Sequence, residues 1–181
     1  MTATTVPCLE TERLTLRAHR LDDFRECAAM WADPEVTRFI GGRPCSEEEA
    51  WAKVLRYVGH WSLLGFGYWA IEEKATGKFV GELGFADFKR DIEPPLKDLP
   101  ELGWALVTLV HGKGYATEAV RAAVAWGDRH FGSTQQTVCL INPENLASLR
   151  VAQKCGYCEF HSMIYKGQPT LLYVRGVKDQ A

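Results

Sequence analysis

Apolar and polar residues alternate with a period of two over residues 13–18, which predicts a short strand with Leu14 and Leu16 on one face. The period then lengthens. Phe24, Cys27, Ala28 and Trp31 recur at helical spacing behind the capping residues Asp22 and Asp23, and Asp33-Pro34 ends the helix they predict. Gly41-Gly42-Arg43-Pro44 breaks the chain. Ser46-Glu47-Glu48-Glu49 is a capping box, in which hydroxyl and carboxylate satisfy each other's backbone donors, and it opens a second helix. The buried stripe predicted for that helix is Trp51, Val54, Leu55 and Val58.

Strand-like runs over 68–73 and 79–86, joined by a turn at Thr76-Gly77, predict a hairpin, and residues 87–100, with three prolines, predict a loop. A strand over 101–107 leads into a helix over about 112–131, with Ala116, Ala119, Val120, Ala123 and Val124 on one side and Gly132 as its stop. A strand over 136–141 precedes a short helix over about 145–154, stopped by Gly156; strands over 158–165 and 170–176 flank a turn at Lys166-Gly167. The order β, α, α, three strands, α, β, α, β, β predicts one mixed α+β sheet whose βαβ stretch supplies a parallel portion. With no repeat or linker in the sequence, a single domain over 1–181 with its core over about 9–176 is expected.

Composition narrows the function classes. The chain has 181 residues, and 21 Lys+Arg against 23 Asp+Glu leave a formal charge of −2, poorly suited to binding nucleic acid by phosphate neutralisation. The longest apolar runs, 104–110 and 122–126, fall far short of the ~20 residues a spanning helix needs, so no membrane partner is expected. No basic start followed by an apolar stretch opens the chain, and the six cysteines are scattered, so a cytoplasmic protein with reduced thiols is expected.

The stretch richest in chemistry is Leu102 to Ala119, where a strand passes through His111-Gly112-Lys113-Gly114-Tyr115-Ala116 into the long helix. Successive amides at such a turn, added to the positive end of the helix dipole, make an anion site, and glycine at 112 and 114 lets a phosphate approach the main chain. Neither G-x-x-x-x-G-K-[ST] nor G-x-G-x-x-G is present, so the turn is neither a P-loop nor a dinucleotide fingerprint. Read by itself, it serves equally as a tight turn before a buried helix.

Four motifs in order resemble the GNAT superfamily of N-acetyltransferases, with the RimJ/RimL-like proteins as the branch most similar. They are Glu12-Arg13-Leu14 with Leu16-Arg17, the hairpin from Gly77 to Gly84, Gly112-Lys-Gly-Tyr-Ala-Thr-Glu118, and Asn145-x-x-Ser148 with Lys154-x-Gly156-Tyr157. The resemblance implies a GNAT-like fold: a mixed, mainly antiparallel twisted sheet with a splayed central parallel pair and about four helices. It also implies acetyl-CoA as co-substrate. Amides of His111, Gly112, Lys113, Gly114, Tyr115 and Ala116 would hold its pyrophosphate, the strand at Trp104, Ala105 and Leu106 would bond the pantetheine arm, and Asn145 would touch the arm from the other side. Three positions depart from the family pattern: His111 replaces Arg or Gln, Thr108 replaces a usual proline, and Ala152 stands where many members carry a tyrosine acid.

Acetyl transfer to an amine needs a neutral amine, a stabilised oxyanion and a protonated leaving thiolate. A lysine amine, with an unperturbed pKa of about 10.4, needs a base more than an α-amino group at about 7.7–8.0. Glu101 is the first candidate for that base, through water, and Glu82 the second. Against each stands the reading of an ordinary carboxylate. A backbone amide near residues 104–106 is the candidate oxyanion donor. Ser148 is the donor to the thiolate that the resemblance suggests, against the reading of a helical serine bonded to its own backbone.

The acceptor pocket implied by the family lies between residues 36–45 and 165–170, which carry Arg38, Arg43 and Lys166 and no acidic residue over 36–45. A peptide, an amino acid or another small amine is therefore expected rather than a polycationic drug, and the RimJ/RimL-like resemblance implies a peptide or protein N-terminus. A monomer or homodimer is expected. The rival from another class is a non-catalytic acyl-CoA-binding module. Cys155-Gly-Tyr-Cys158 is a C-x-x-C, but it falls at a helix C-terminus, where the dipole opposes thiolate; with His161 it offers three zinc ligands and no fourth, so no metal is expected.

Overall fold

The computed structural model describes residues 5–176. Eight strands form one sheet in the order β1-β2-β3-β4-β5-β6-β8-β7. They are β1 (Leu9–Glu10), β2 (Leu14–Arg17), β3 (Tyr68–Glu73), β4 (Lys78–Ala86), β5 (Glu101–Leu106), β6 (Thr137–Ile141), β7 (Cys158–Tyr165) and β8 (Gln168–Arg175). Every neighbouring pair is antiparallel except β5–β6. Among the described residues five α-helices accompany the sheet: α1 (Phe24–Ala32), α2 (Pro34–Thr37), α3 (Glu47–Leu64), α4 (Tyr115–His130) and α5 (Leu146–Lys154). Among the described residues, no helix is long and apolar enough to cross a membrane.

The mixed α+β architecture matches the sequence reading. The parts it lacked are short: β1 has two residues, and α2 four, begun by Pro34 immediately after the predicted stop. Asp33 caps α2 by accepting from the Glu35 amide, so the residues that end one helix start the next.

The two faces of the sheet bury different chemistry. Along β4, Leu83 and Phe85 join the main core with Val120, Ala123 and Val124 of α4, whereas Glu82, turned to the opposite face, meets α1 and α3. Trp61 and Trp69 also fill the main core, stacked edge to face on each other and on Trp126. Of the nearby aromatics Trp61, Phe66, Tyr68 and Trp69, Tyr68 is the member that lines the cleft described below.

The stripe predicted for α3 is corrected. Val54 is buried, but Trp51, Leu55 and Val58 are exposed, and Ala50, Tyr57, His60 and Trp61 face inward instead. The helix carries two apolar stripes about one residue apart. The inward one is that whose aromatic polar tips find acceptors: Tyr57 donates to Glu82 at 2.5 Å, and Trp61 Nε1 to the Tyr68 carbonyl at 2.9 Å.

The parallel pair positions the site. β5 and β6 share a single paired position, Glu101 with Val138, and separate beyond it. Their separation opens the middle of the sheet rather than its edge.

Candidate active site

A cleft of about 820 Å³ runs through this opening. Leu102 to Ala105 line one wall, Cys139 to Asn142 the other, α5 contributes Asn145 and Ser148, and the turn after β7 closes one end with Tyr165 and Lys166. α3 and the segment 38–43 form the remaining side. Glu101, Ser148, Asn145, Trp104 and Ala105 therefore meet in one cavity, although 44 residues separate Glu101 from Asn145 in sequence.

Main-chain directions along β5 decide what it can offer. The Val107 amide donates to the Val80 carbonyl of β4, and the Pro100 carbonyl accepts from Val138 of β6. Because directions alternate along a strand, residues 102, 104 and 106 turn their main-chain groups away from β4, and residue 105 turns its own toward β4. Trp104 presents free main-chain groups to the opening. The expectation for Ala105 is corrected: its amide and carbonyl belong to the β4 side, and its side chain packs with Ala70 and Phe79. Leu106 is half available, because its carbonyl accepts from His111 Nε2 at 2.9 Å. That bond assigns the ring proton to Nε2 and gives His111 a bracing role.

The glycine turn lies beyond the strand, outside the cleft lining. Gly112 and Gly114 have φ of +76° and +81°, the left-handed region that glycine adopts without strain. Gly114 is the N-cap of α4, and no side chain caps the helix. Among the described residues, the amides of Gly112, Gly114, Tyr115, Ala116 and Thr117 have no acceptor. The expectation for the His111 and Lys113 amides is corrected: they donate to the Thr108 and Val110 carbonyls, and Lys113 is exposed. The unpaired amides stand at the start of a 16-residue helix, where the helix dipole is positive.

The turn is held by residues far away in sequence. Arg13 forms an ion pair with Glu118 at 2.6 Å, donates to the Lys113 carbonyl at 2.9 Å and lies 4.5 Å over the Tyr115 ring. Thr11 donates to Glu118 at 2.7 Å, and Tyr115 to Glu73 at 2.6 Å. The first and third sequence motifs are thus two halves of one brace.

The candidate bases occupy contrasting settings. Glu101 is buried to 7% exposure and receives a bidentate pair from Arg90, at 2.5 and 2.6 Å, while Arg90 also donates to Tyr165 at 3.0 Å. Each carboxylate oxygen keeps a second lone pair, and Glu101 lines the cleft. Glu82 has no exposure and does not line the cleft: it receives Tyr57, Trp31 Nε1 and Cys27 Sγ at 2.5, 3.0 and 3.3 Å. Its surroundings close it off from a substrate. Arg90 sits within the loop over 87–100, whose mixed composition gave no sign of a role.

On α5, Asn145 is the N-cap, its side chain accepting from the Ser148 amide at 3.1 Å. The Ser148 hydroxyl makes no hydrogen bond among the described residues and lines the cleft. Ala152 is fully buried in the main core and offers nothing to the cleft. Burial pushes the Cys155 thiol up, whereas Cys158 is exposed.

Charge is unevenly distributed around the cleft. Its carboxylates Glu49, Asp87 and Glu101 are paired with Arg43, Lys89 and Arg90. Arg38, Lys53, Arg56 and Lys166 have no carboxylate partner among the described residues, and each lies over an aromatic ring: Phe39, Trp31, Phe88 and Tyr165 respectively. Burial holds the Lys53 amine below the usual lysine range.

Comparison with known proteins agrees with this geometry. A family profile described as an acetyltransferase (GNAT) domain matches residues 13–158. The uncharacterised protein YkkB of Bacillus subtilis (strain 168) is 30% identical over 174 residues, which cover 92% of this chain and 94% of that one. The uncharacterised N-acetyltransferase p20 of Bacillus licheniformis is 27% identical over 150 residues, 82% of this chain and 81% of that one. The crystal structure of the acetyltransferase from Agrobacterium tumefaciens strain C58 superposes with a TM-score of 0.80 at 29% identity, covering 94% of each chain. RimL, the ribosomal L7/L12 alpha-N-protein acetyltransferase solved in complex with coenzyme A, shares the fold with a TM-score of 0.75 at 19% identity, over 93% of this chain and 97% of that one. The profile match spans most of the sequence and includes the splayed pair and the glycine turn, and the chain belongs to the GNAT family of acetyltransferases.

Proposed function

We propose that this protein is an N-acetyltransferase that moves an acetyl group from acetyl-CoA to a primary amine by direct attack in a ternary complex. The observation that carries this reading is that the unpaired amides of residues 112 and 114–117 follow, along the chain, the open side of β5. Pyrophosphate at the turn and an extended arm along Trp104 would satisfy both sets of groups. Asn145, fixed as a cap, would meet the arm from α5. The order of the four motifs supports placing the protein with the RimJ/RimL-like branch, and its six free cysteines suit the cytoplasm.

In this reading Glu101 takes the amine proton through a water molecule, since Arg90 occupies one lone pair on each of its oxygens. The attack raises negative charge on the carbonyl oxygen, toward which the Trp104 amide is available. The Ser148 hydroxyl, free of its own helix, donates to the departing thiolate. Glu101→Gln is expected to lower turnover about a hundredfold, and Ser148→Ala about tenfold. Isothermal titration should find coenzyme A affinity near wild type in both; unchanged turnover would remove either residue from the mechanism.

The unpaired cations refine the acceptor. A polycationic amine would meet Arg38, Lys53, Arg56 and Lys166 with no free carboxylate to receive it, whereas an amine that also carries a carboxylate gives them a partner. An amino acid or an acidic peptide N-terminus fits that chemistry. Lys53→Met is expected to raise KM for such an acceptor about tenfold, the scale of one charge-assisted contact, with KM for acetyl-CoA unchanged.

A further inference from the structure

One polar group in the cleft has no assigned work. Tyr68 begins β3 and stands opposite Gly84 of β4, which in turn stands opposite Gly103 of β5. A Cβ built at Gly84 would collide with the Tyr68 main chain, and one at Gly103 would collide with the Tyr68 hydroxyl. Two successive glycines therefore clear a path across the sheet. The phenol ring crosses β4 and sets its hydroxyl where a side chain of residue 103 would otherwise stand.

That hydroxyl is rigidly held. The Tyr57 ring stacks on Tyr68 with centroids 4.4 Å apart and planes 4° from parallel. Tyr57 is itself tied to Glu82, and Trp61 Nε1 holds the Tyr68 carbonyl. Yet the Tyr68 hydroxyl has no hydrogen-bond partner among the described residues, although the residue as a whole is only 7% exposed, and it lines the cleft. A donor fixed through its ring and left unbonded toward a cavity is placed to be completed by a ligand.

We propose that Tyr68 is a catalytic residue whose hydroxyl donates a hydrogen bond to the acetyl carbonyl oxygen as attack converts it to the tetrahedral oxyanion. Its place on β5 is one residue before Trp104, whose free amide is the second donor, and two residues along the same face from Glu101, roughly 7 Å at strand spacing. Burial, followed by the neighbouring Glu101 and Glu82, pushes the phenol above its ordinary range, so it stays a donor rather than a base. With Ala152 buried and without a hydroxyl, α5 supplies no phenol of its own, and β3 supplies one from the opposite side of the cleft.

The inference rests on the acetyltransferase reading, and Tyr68→Phe separates the two because it keeps the ring and its stack. With acetyl-CoA and the amine best used by the wild type, kcat should fall about a hundredfold, the usual loss for one oxyanion donor. KM for acetyl-CoA and coenzyme A affinity should stay within about twofold of wild type, within the tolerance of a free energy near RT. The melting temperature should be unchanged or raised, because the replaced hydroxyl had no partner. A kcat within twofold of wild type overturns the role of Tyr68 while leaving the acetyltransferase reading intact. A lowered melting temperature in parallel with lost activity assigns Tyr68 a structural role and also overturns it. A wild-type protein that binds no acetyl-CoA, or acetylates no amine, overturns both.

Discussion

Replacing Gly114 with valine is expected to weaken coenzyme A binding by about a hundredfold or more. Two costs combine. At φ +81° a non-glycine residue pays about 1–2 kcal/mol, and a β-branched one more. Relaxing that strain rotates the amides of residues 114–116 away from a common target, and each charge-assisted bond lost costs about 1.5–3 kcal/mol. The sum exceeds the 2.7 kcal/mol or so that a hundredfold represents. A Cβ at this position meets only the Arg13 side chain, at 3.5 Å, so the fold has room for the substitution and the defect should be local. Isothermal titration with coenzyme A measures it. Binding within a few-fold of wild type would mean that the turn holds no phosphate.

Replacing Glu82 with alanine is expected to act on stability first. The side chain is fully enclosed and receives donors from α1 and α3, pinning two helices to the central strand. Its removal strands the Tyr57 hydroxyl and the Trp31 indole N–H and leaves a cavity, a loss of about 3 kcal/mol or more. For a chain of this size that lowers the melting temperature on the order of 10 °C. Thermal unfolding of the full-length variant reads it directly. An unchanged melting temperature with abolished turnover would instead make Glu82 the catalytic base and displace Glu101.

The sequence made the order of the elements legible because most strands are short, sharply bounded runs and most helices carry their own caps. It could not distinguish the two apolar stripes of α3, since Trp51, Leu55 and Val58 are as hydrophobic as the residues that are buried. What decides between them is a partner 25 residues away, Glu82 for Tyr57. The same limit applies to the site. Gly112, Gly114 and Ser148 carry local signals: a turn before a helix, and a motif. Arg13–Glu118 and Arg90–Glu101 join segments far apart, and neither residue of such a pair announces the other. In the sequence Tyr68 is one aromatic in a run that also holds Trp61, Phe66 and Trp69. Its hydroxyl became readable only once Gly84 and Gly103 were aligned beside it in adjacent strands.

The central claim is acetyl transfer from acetyl-CoA to an amine, and the most direct test follows both products at once. The full chain is incubated with acetyl-CoA and a panel of N-terminal peptides, free amino acids and polyamines, while thiol release and the mass of each amine are recorded. Free coenzyme A should be released in step with a singly acetylated product, most for amines that bear a carboxylate and least for polyamines. Tight binding of acetyl-CoA with no acetylated amine anywhere in the panel would contradict it, and would leave the protein a coenzyme-binding module without turnover.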